Sequence, residues 1–303
     1  MTQSKSCTAA NVSYWQRRGE RRDLPGHEVT LMAEHARYVA YIHSQEIKLL
    51  LTMIGEHRPR VLDVGCGAGR VALEIASRCS ELIGIDIADS LLDRARSAAR
   101  AAGISNISFQ NRGLDAPFGL GTFDLVLLSG VLNCLDDSDA EVALRSCVAS
   151  LAVGGTLSIR NNCAVRQRID LPGDDEAPPF IHRTAPEYLA MVRGIKSLAL
   201  RREGYLFPPL CLPNIAYYHA IPKFLRDRKP MRSLLDAWFR LEDLTAGARL
   251  RWLGPAYGMA LRATGKPTFF HVIEATRVAG PAAAPRPNRA EEMSSQEPSR
   301  GQR

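Results

Sequence analysis

Val61-Leu62-Asp63-Val64-Gly65-Cys66-Gly67-Ala68-Gly69-Arg70 is the stretch whose reading decides the fold. An apolar run suited to a buried strand ends there in three alternating glycines, and apolar residues at helical spacing follow at Val71, Leu73, Ile75 and Ala76. Glycine adopts backbone angles closed to other residues and, lacking a side chain, lets a ligand lie against the main chain. A strand that turns into a helix in this way is expected to point free amide groups at what binds there. The unit reads as the first of an open α/β sheet whose ligand crevice lies at the carboxyl ends of the strands.

The spacing narrows the ligand. A dinucleotide turn reads G-x-G-x-x-G, whereas Gly65, Gly67 and Gly69 are evenly spaced and preceded by Asp63. This pattern resembles motif I of the class I methyltransferases that use S-adenosylmethionine, and the resemblance implies that Asp63, Gly65, Cys66, Gly67 and Gly69 border that cofactor. Cys66 also suits a plain packing role inside the turn.

The next strand, Glu81 to Asp86, sets a carboxylate at a strand end about twenty residues after the turn, where an acid can accept ribose hydroxyls. The resemblance makes Asp86 the ribose-binding acid and sets Ile87 against the adenine. A helix N-cap role for Asp86, ahead of a helix over Ser90 to Ala102, is compatible with it. The third strand, Ile107 to Asn111, leads to Arg112-Gly113, where related proteins carry an acid for the adenine amino group. Asp115 is the substitute, and a surface-turn role for it has equal standing. Strand four, Thr122 to Leu128, and the loop from Ser129 to Asp137 also resemble the family, which implies that Ser129 and Val131 border the methionine part of the cofactor. A helix over Ala140 to Leu151, a turn at Val153-Gly154-Gly155 and a strand over Thr156 to Arg160 complete the match, which spans residues 60–162.

The implied fold is a Rossmann-like, seven-stranded, mostly parallel sheet with helices on both faces and an antiparallel last strand. Ser197 to Tyr205 reads as strand six and Thr268 to Thr276 as strand seven. A helical insert separates them. The chain divides into an N-terminal segment or lid (1–27), a core (28–207) opening with a helix over Glu28 to Ile54, a helical substrate-side insert (208–267), a final core strand (268–278) and a disordered tail (279–303). That tail is rich in Ala, Pro, Ser, Glu and Gln and has no apolar period.

The 303 residues carry a formal charge of +7, and the excess lies beyond residue 193, since the part before it is slightly acidic. In the insert, Tyr217, Tyr218, Trp238 and Trp252 lie among Lys223, Arg226, Arg228 and Arg232. Such a mixture stacks on planar groups and holds phosphate or carboxylate, or it forms the insert's own small core with a solvated charged face. Seven cysteines without C-x-x-C spacing indicate neither a zinc site nor a disulfide framework, and no metal is expected. A polar N-terminus and the lack of a long apolar run point to a cytoplasmic protein.

Methyl transfer asks mainly for alignment, and a hydroxyl acceptor also wants a base of near-neutral pKa. His182, in a loop after strand five, is the candidate base; Asn161 and Asn162 at the end of that strand, and Tyr14 from the N-terminal segment, are candidate substrate-side residues. The expected function is S-adenosylmethionine-dependent methylation of a small-molecule or glycan acceptor, at oxygen, with an anionic acceptor suiting the basic half. RNA methylation is the alternative among enzymes. A non-catalytic S-adenosylmethionine-binding interaction protein is the alternative of another class.

Overall fold

A computed structural model describes residues 7–21, 23, 36–114, 118–173, 179–206 and 268–279, with isolated positions between 228 and 241. The proposed insert, the tail and Asp115 lie outside the described residues, apart from those isolated positions.

Among the described residues, two helices precede the sheet, α1 (Cys7–Glu20) and α2 (Ala36–Ile54). Then follow β1 (Arg60–Val64), α3 (Arg70–Ile75), β2 (Glu81–Asp86), α4 (Asp89–Ala101), β3 (Ile107–Asn111), β4 (Phe123–Ser129), α5 (Asp137–Ala149) and β5 (Leu151–Ala164). A small hairpin of β6 (Ile169–Leu171) and β7 (Phe180–His182) leads to α6 (Ala185–Arg193), β8 (Leu198–Tyr205) and β9 (Thr268–Arg277). The main sheet has seven strands in the order β3-β2-β1-β4-β5-β9-β8, parallel except for β9, which runs antiparallel to both its neighbours. The expected α/β architecture and its antiparallel last strand are therefore present.

Strands such as β1, apolar on both faces, are stable only when helices cover both sides. One face packs Val61, Leu82, Leu125 and Leu127 against Leu50 and Ile54 of α2, Val71 and Ile75 of α3 and Leu92 and Ala95 of α4. The other packs Leu62, Ile85, Val126, Leu157 and Ile159 against Ala143 and Leu144 of α5 and Tyr188 and Val192 of α6. Local signals fix the helix starts: the Asp136 carboxylate accepts from the Asp139 amide at 2.8 Å, and Thr184 and Glu187 form a capping box ahead of α6.

Two sequence expectations are corrected, and the N-terminal segment gains a structure that the sequence reading left open. The N-terminal segment is helical over Cys7–Glu20 and docks on α4, so closely that a Cβ at Gly19 would lie 2.2 Å from Ser90 Oγ. Val153-Gly154-Gly155 is no turn but the opening of β5, which begins at Leu151. A Cβ at Gly155 would stand 2.9 Å from the Phe123 carbonyl, so glycine serves strand approach beside the register shift between Phe123 and Leu125. His182 lies on strand β7 and not in a loop. Among the described residues, no helix is long and apolar enough to cross a membrane.

Candidate active site

The strand order reverses between β1 and β4, and the glycine turn and the loop after β4 meet over that point. Gly65, Gly67 and Gly69 have φ of 69°, 54° and 77°, in the left-handed region that favours glycine. A Cβ on Gly65 would come within 2.3 Å of the Val131 side chain. The turn is a bare surface pressed close to the β4 loop.

Several amide groups of that turn are taken up within the fold. Gly65 and Cys66 donate to the Ile85 carbonyl at 2.8 and 3.0 Å, and Gly67 donates to Asp86 Oδ2 at 2.8 Å. These amides are bent inward, and at Gly65 and Gly67 the turn offers a ligand close access to the backbone. Cys66 is buried beneath it beside Gly84, and burial pushes its thiol well up, as suits a packing residue.

Asp86 ends β2 with its second oxygen accepting from the Ala88 amide at 3.0 Å. It thus steadies the start of α4, where Ala88 is the N-cap without a capping side chain of its own. A carboxylate has about four acceptor positions, so these amides leave acceptor capacity for a ribose hydroxyl. Burial raises the pKa of Asp86, and the backbone donors oppose that rise. Ile87 follows, half-buried, its carbonyl accepting from Asn111 at 3.3 Å. The glycine cradle and this acid together fit an adenosyl ligand.

Beneath the turn lies a buried charge network that the sequence reading missed. Glu46 of α2 is 2 % exposed and pairs with Arg70 at 2.8 Å and Arg160 at 2.7 Å. It also accepts from Ser129 at 2.8 Å, so the Ser129 hydroxyl is turned to Glu46. Arg160 lies over the Phe270 ring, 5.0 Å from its centroid. Burial opposes the charge on Glu46, but Arg160 and Arg70 outweigh it and hold the pKa at about 2. Asp63, buried in the same cluster, is pushed up to about 7 by burial, with help from the Glu46 and Asp86 carboxylates against Arg70. Glu46 shares a stripe with Leu50 and Ile54, and an acid on an apolar stripe was the available signal.

Helix α1 reaches over this crevice. Asn11 donates to the Cys134 carbonyl at 2.7 Å at one end, and the Ser90 hydroxyl donates to the Gln16 carbonyl at 2.6 Å toward the other. Tyr14 is buried between them, edge-on to Trp15 at 5.1 Å, and burial raises its pKa.

On the β5 side, Asn133 organises a second polar group. Its side chain donates to the carbonyls of Asn162 and Ile181, both at 2.9 Å, and to the Tyr188 hydroxyl at 3.1 Å, sharing its protons among them. Its oxygen accepts from the Asn162 amide at 3.1 Å. His182 Nδ1 stands 3.4 Å from the same side chain, with the ring stacked on Phe180 at 6.2 Å. Burial lowers the His182 pKa below 6.5, partly opposed by the Asn162 carbonyl. Arg183 is almost wholly buried and donates to the Leu132 and Leu135 carbonyls and to Asp137, so one guanidinium brackets the β4 loop. These long-range partners leave no periodic trace in sequence. His182, Asn161 and Asn162 therefore share the edge that follows β4 and β5, whereas Tyr14 stands on the cover formed by α1.

Comparison with known proteins agrees with this fold. Residues 61–155 match the family model described as "Methyltransferase domain". The chain is 36 % identical over 121 residues to a 23S rRNA (uracil(1939)-C(5))-methyltransferase of Alkalilimnicola ehrlichii, covering 36 % of this chain and 27 % of that protein. It is 34 % identical over 118 residues to a tRNA 5-carboxymethoxyuridine methyltransferase of Escherichia coli, covering 38 % and 44 %. Against these two, the chain spans less than half the relative's length. With a ubiquinone biosynthesis O-methyltransferase of Acinetobacter baylyi it shares 29 % identity over 205 residues, covering 65 % of this chain and 72 % of that one. The fold is similar to that of the Haemonchus contortus phosphoethanolamine N-methyltransferase 1, solved with phosphoethanolamine and S-adenosylhomocysteine, at a TM-score of 0.61 and 14 % identity, covering 94 % of this chain and 51 % of that one. On its sheet order, its evenly spaced glycine turn and these matches, the chain carries a methyltransferase domain of the class I, S-adenosylmethionine-dependent family.

Proposed function

We propose that this chain moves a methyl group from S-adenosylmethionine to a hydroxyl of a small-molecule or glycan acceptor. The observation that carries the reading is the placement of His182, a ring with lowered pKa held beside Asn133 of the β4 loop. A histidine in that state is neutral at pH 7 and able to take a proton.

In this reading Asp86 accepts the ribose hydroxyls, Ile87 flanks the adenine, and the bare turn over Gly65, Gly67 and Gly69 lets the cofactor lie against the chain. Asp63, Ser129 and Val131 border its methionine end, with Ser129 acting through its backbone. Bound there, the cofactor supplies a methyl group already activated on a sulfonium. The remaining work is alignment, exclusion of water and removal of the acceptor's proton. Helix α1, with Tyr14, covers the site. In the His182 tautomer whose Nδ1 carries the hydrogen and gives it to the Asn162 carbonyl, Nε2 is the nitrogen that takes the hydroxyl proton. As the carbon–oxygen bond forms, the carbon–sulfur bond would break with its electron pair left on the sulfur, and the hydroxyl proton would pass to Nε2. The likeness to an O-methyltransferase over 205 residues supports oxygen as the acceptor atom.

RNA is the second reading, favoured by the names of two relatives and by the basic residues beyond 193. A labelled-methyl assay over small phenols, sugars and RNA separates the two. Transfer to small hydroxyl compounds supports the first; transfer to RNA alone, with salt-sensitive binding, supports the second. No binding of S-adenosylhomocysteine by calorimetry removes both.

A further inference from the structure

Strand β5 presents two different faces at the carboxyl edge of the sheet. Arg160 points with Ser158 toward α2, where it meets Glu46. Leu157, Ile159 and Cys163 belong to the core that holds α5 and α6. By the two-residue alternation of a strand, Asn161 stands on this second face, between Ile159 and Cys163. Across the ladder it pairs with His271 of β9, whose ring leans on that of Tyr188 at 6.3 Å.

This edge forms a polar layer over an apolar core. Tyr188 and Asn133 are bonded to one another, and His271 faces Glu203 at 3.1 Å. Arg183 is closed on Asp137. Asn161 differs from all of these. It is 1 % exposed, and among the described residues neither its amide nitrogen nor its oxygen has a hydrogen-bond partner. Buried polar groups are almost always bonded, so a carboxamide with both ends open asks for a missing partner. The position fits a ligand, because the cofactor turn and Asp86 occupy the β1 and β2 side and leave the β4–β5 side for the acceptor.

Resting on the proposed methyl transfer, we infer that Asn161 selects the acceptor by a two-point contact. Its oxygen accepts from one hydroxyl and its nitrogen donates to a second oxygen on the adjacent carbon. A carboxamide's donor and acceptor lie side by side, which matches a neutral vicinal pair of oxygens such as an aromatic or sugar diol. The charged groups named in this layer are already paired with one another, so a neutral acceptor suits it better than the anionic one suggested by overall charge.

The test uses the full chain saturated with S-adenosylhomocysteine and titrated calorimetrically with catechol and with phenol. Wild type is expected to bind catechol about tenfold more tightly than phenol, the effect of one extra buried hydrogen bond. Asn161→Leu should bind the two alike, with cofactor affinity within about twofold and a thermal midpoint unchanged or higher, because two unpaired groups have been removed. Equal binding of both probes by wild type, binding of neither, or discrimination kept by Asn161→Leu overturns the inference. A lowered midpoint with catechol preference intact assigns the amide a structural role and overturns it too. Failure of S-adenosylhomocysteine to bind wild type instead defeats the parent reading.

Discussion

Glu46 and Arg160 meet at 2.7 Å, almost fully buried, although 114 positions separate them in the chain. The contact fastens α2 to β5 directly beneath the glycine turn, and Arg70, the first residue after that turn, completes it. Burying two cations and one carboxylate is tolerable only while all three are present.

Glu46→Gln should therefore destabilise the fold by about 3–5 kcal/mol, because Arg70 and Arg160 are left buried without their counter-charge. Urea unfolding monitored by tryptophan fluorescence measures it. Replacing Glu46 and Arg160 together by Met should lose less than the single change. A double variant weaker than the single one contradicts this account.

Asp63 and Glu46 give stability an opposed dependence on pH. The Glu46 pKa is depressed to about 2, so its contribution is whole above about 4.5 and fades as pH falls toward 2. The Asp63 pKa is raised to about 7, so its contribution is whole below 3.8 and fades as pH rises through 7. Thermal midpoints should decline between pH 5 and 8 in the wild type and stay nearly level in Asp63→Asn. An equal decline in both would clear Asp63 of the effect.

Asp86→Ala should weaken S-adenosylhomocysteine binding on the order of a hundredfold, the loss of two hydrogen bonds to a charged acceptor. The same change leaves the Gly67 and Ala88 amides without their present acceptor, so a lower thermal midpoint should accompany it. Calorimetry that finds near-native affinity refutes the ribose role.

His182→Ala should lower kcat for a hydroxyl acceptor by 10²–10⁴-fold with cofactor affinity intact. Since burial depresses the pKa of this ring, the wild-type rate should be level at pH 7 and fall only in acid below 6.5. Asn133→Ala should shift that acid limb, as the ring loses its neighbour, whereas a merely structural asparagine would move stability and leave the profile in place.

The parts of the fold that sequence made legible are those with local causes. The strands Arg60–Val64 and Glu81–Asp86 end where turn chemistry and apolar runs place them, because both signals act within a few residues. Helix α1 escaped notice because Cys7–Glu20 is polar on average and gains its order from docking, with Gly19 set against Ser90. Gly154-Gly155 misled for a related reason: a glycine pair reads as a turn, yet here it lets two strands come together. At the site, Gly65 and Asp86 lie in a recurring pattern, whereas Asn133, Arg183 and Glu46 act through partners 24 to 114 residues away. Such contacts exist only after the chain has folded.

Arg183 has one more implication. Its guanidinium joins the residue after the β6–β7 hairpin to both ends of the turn that follows β4, so the hairpin and the β4 loop are a single mechanical piece. Variation in acceptor choice among descendants of this protein is then expected to accumulate in segments outside that bracket. The bracket itself is expected to change less, since a substitution that suits a new acceptor but loosens Arg183 would disturb the β4 loop in the same stroke.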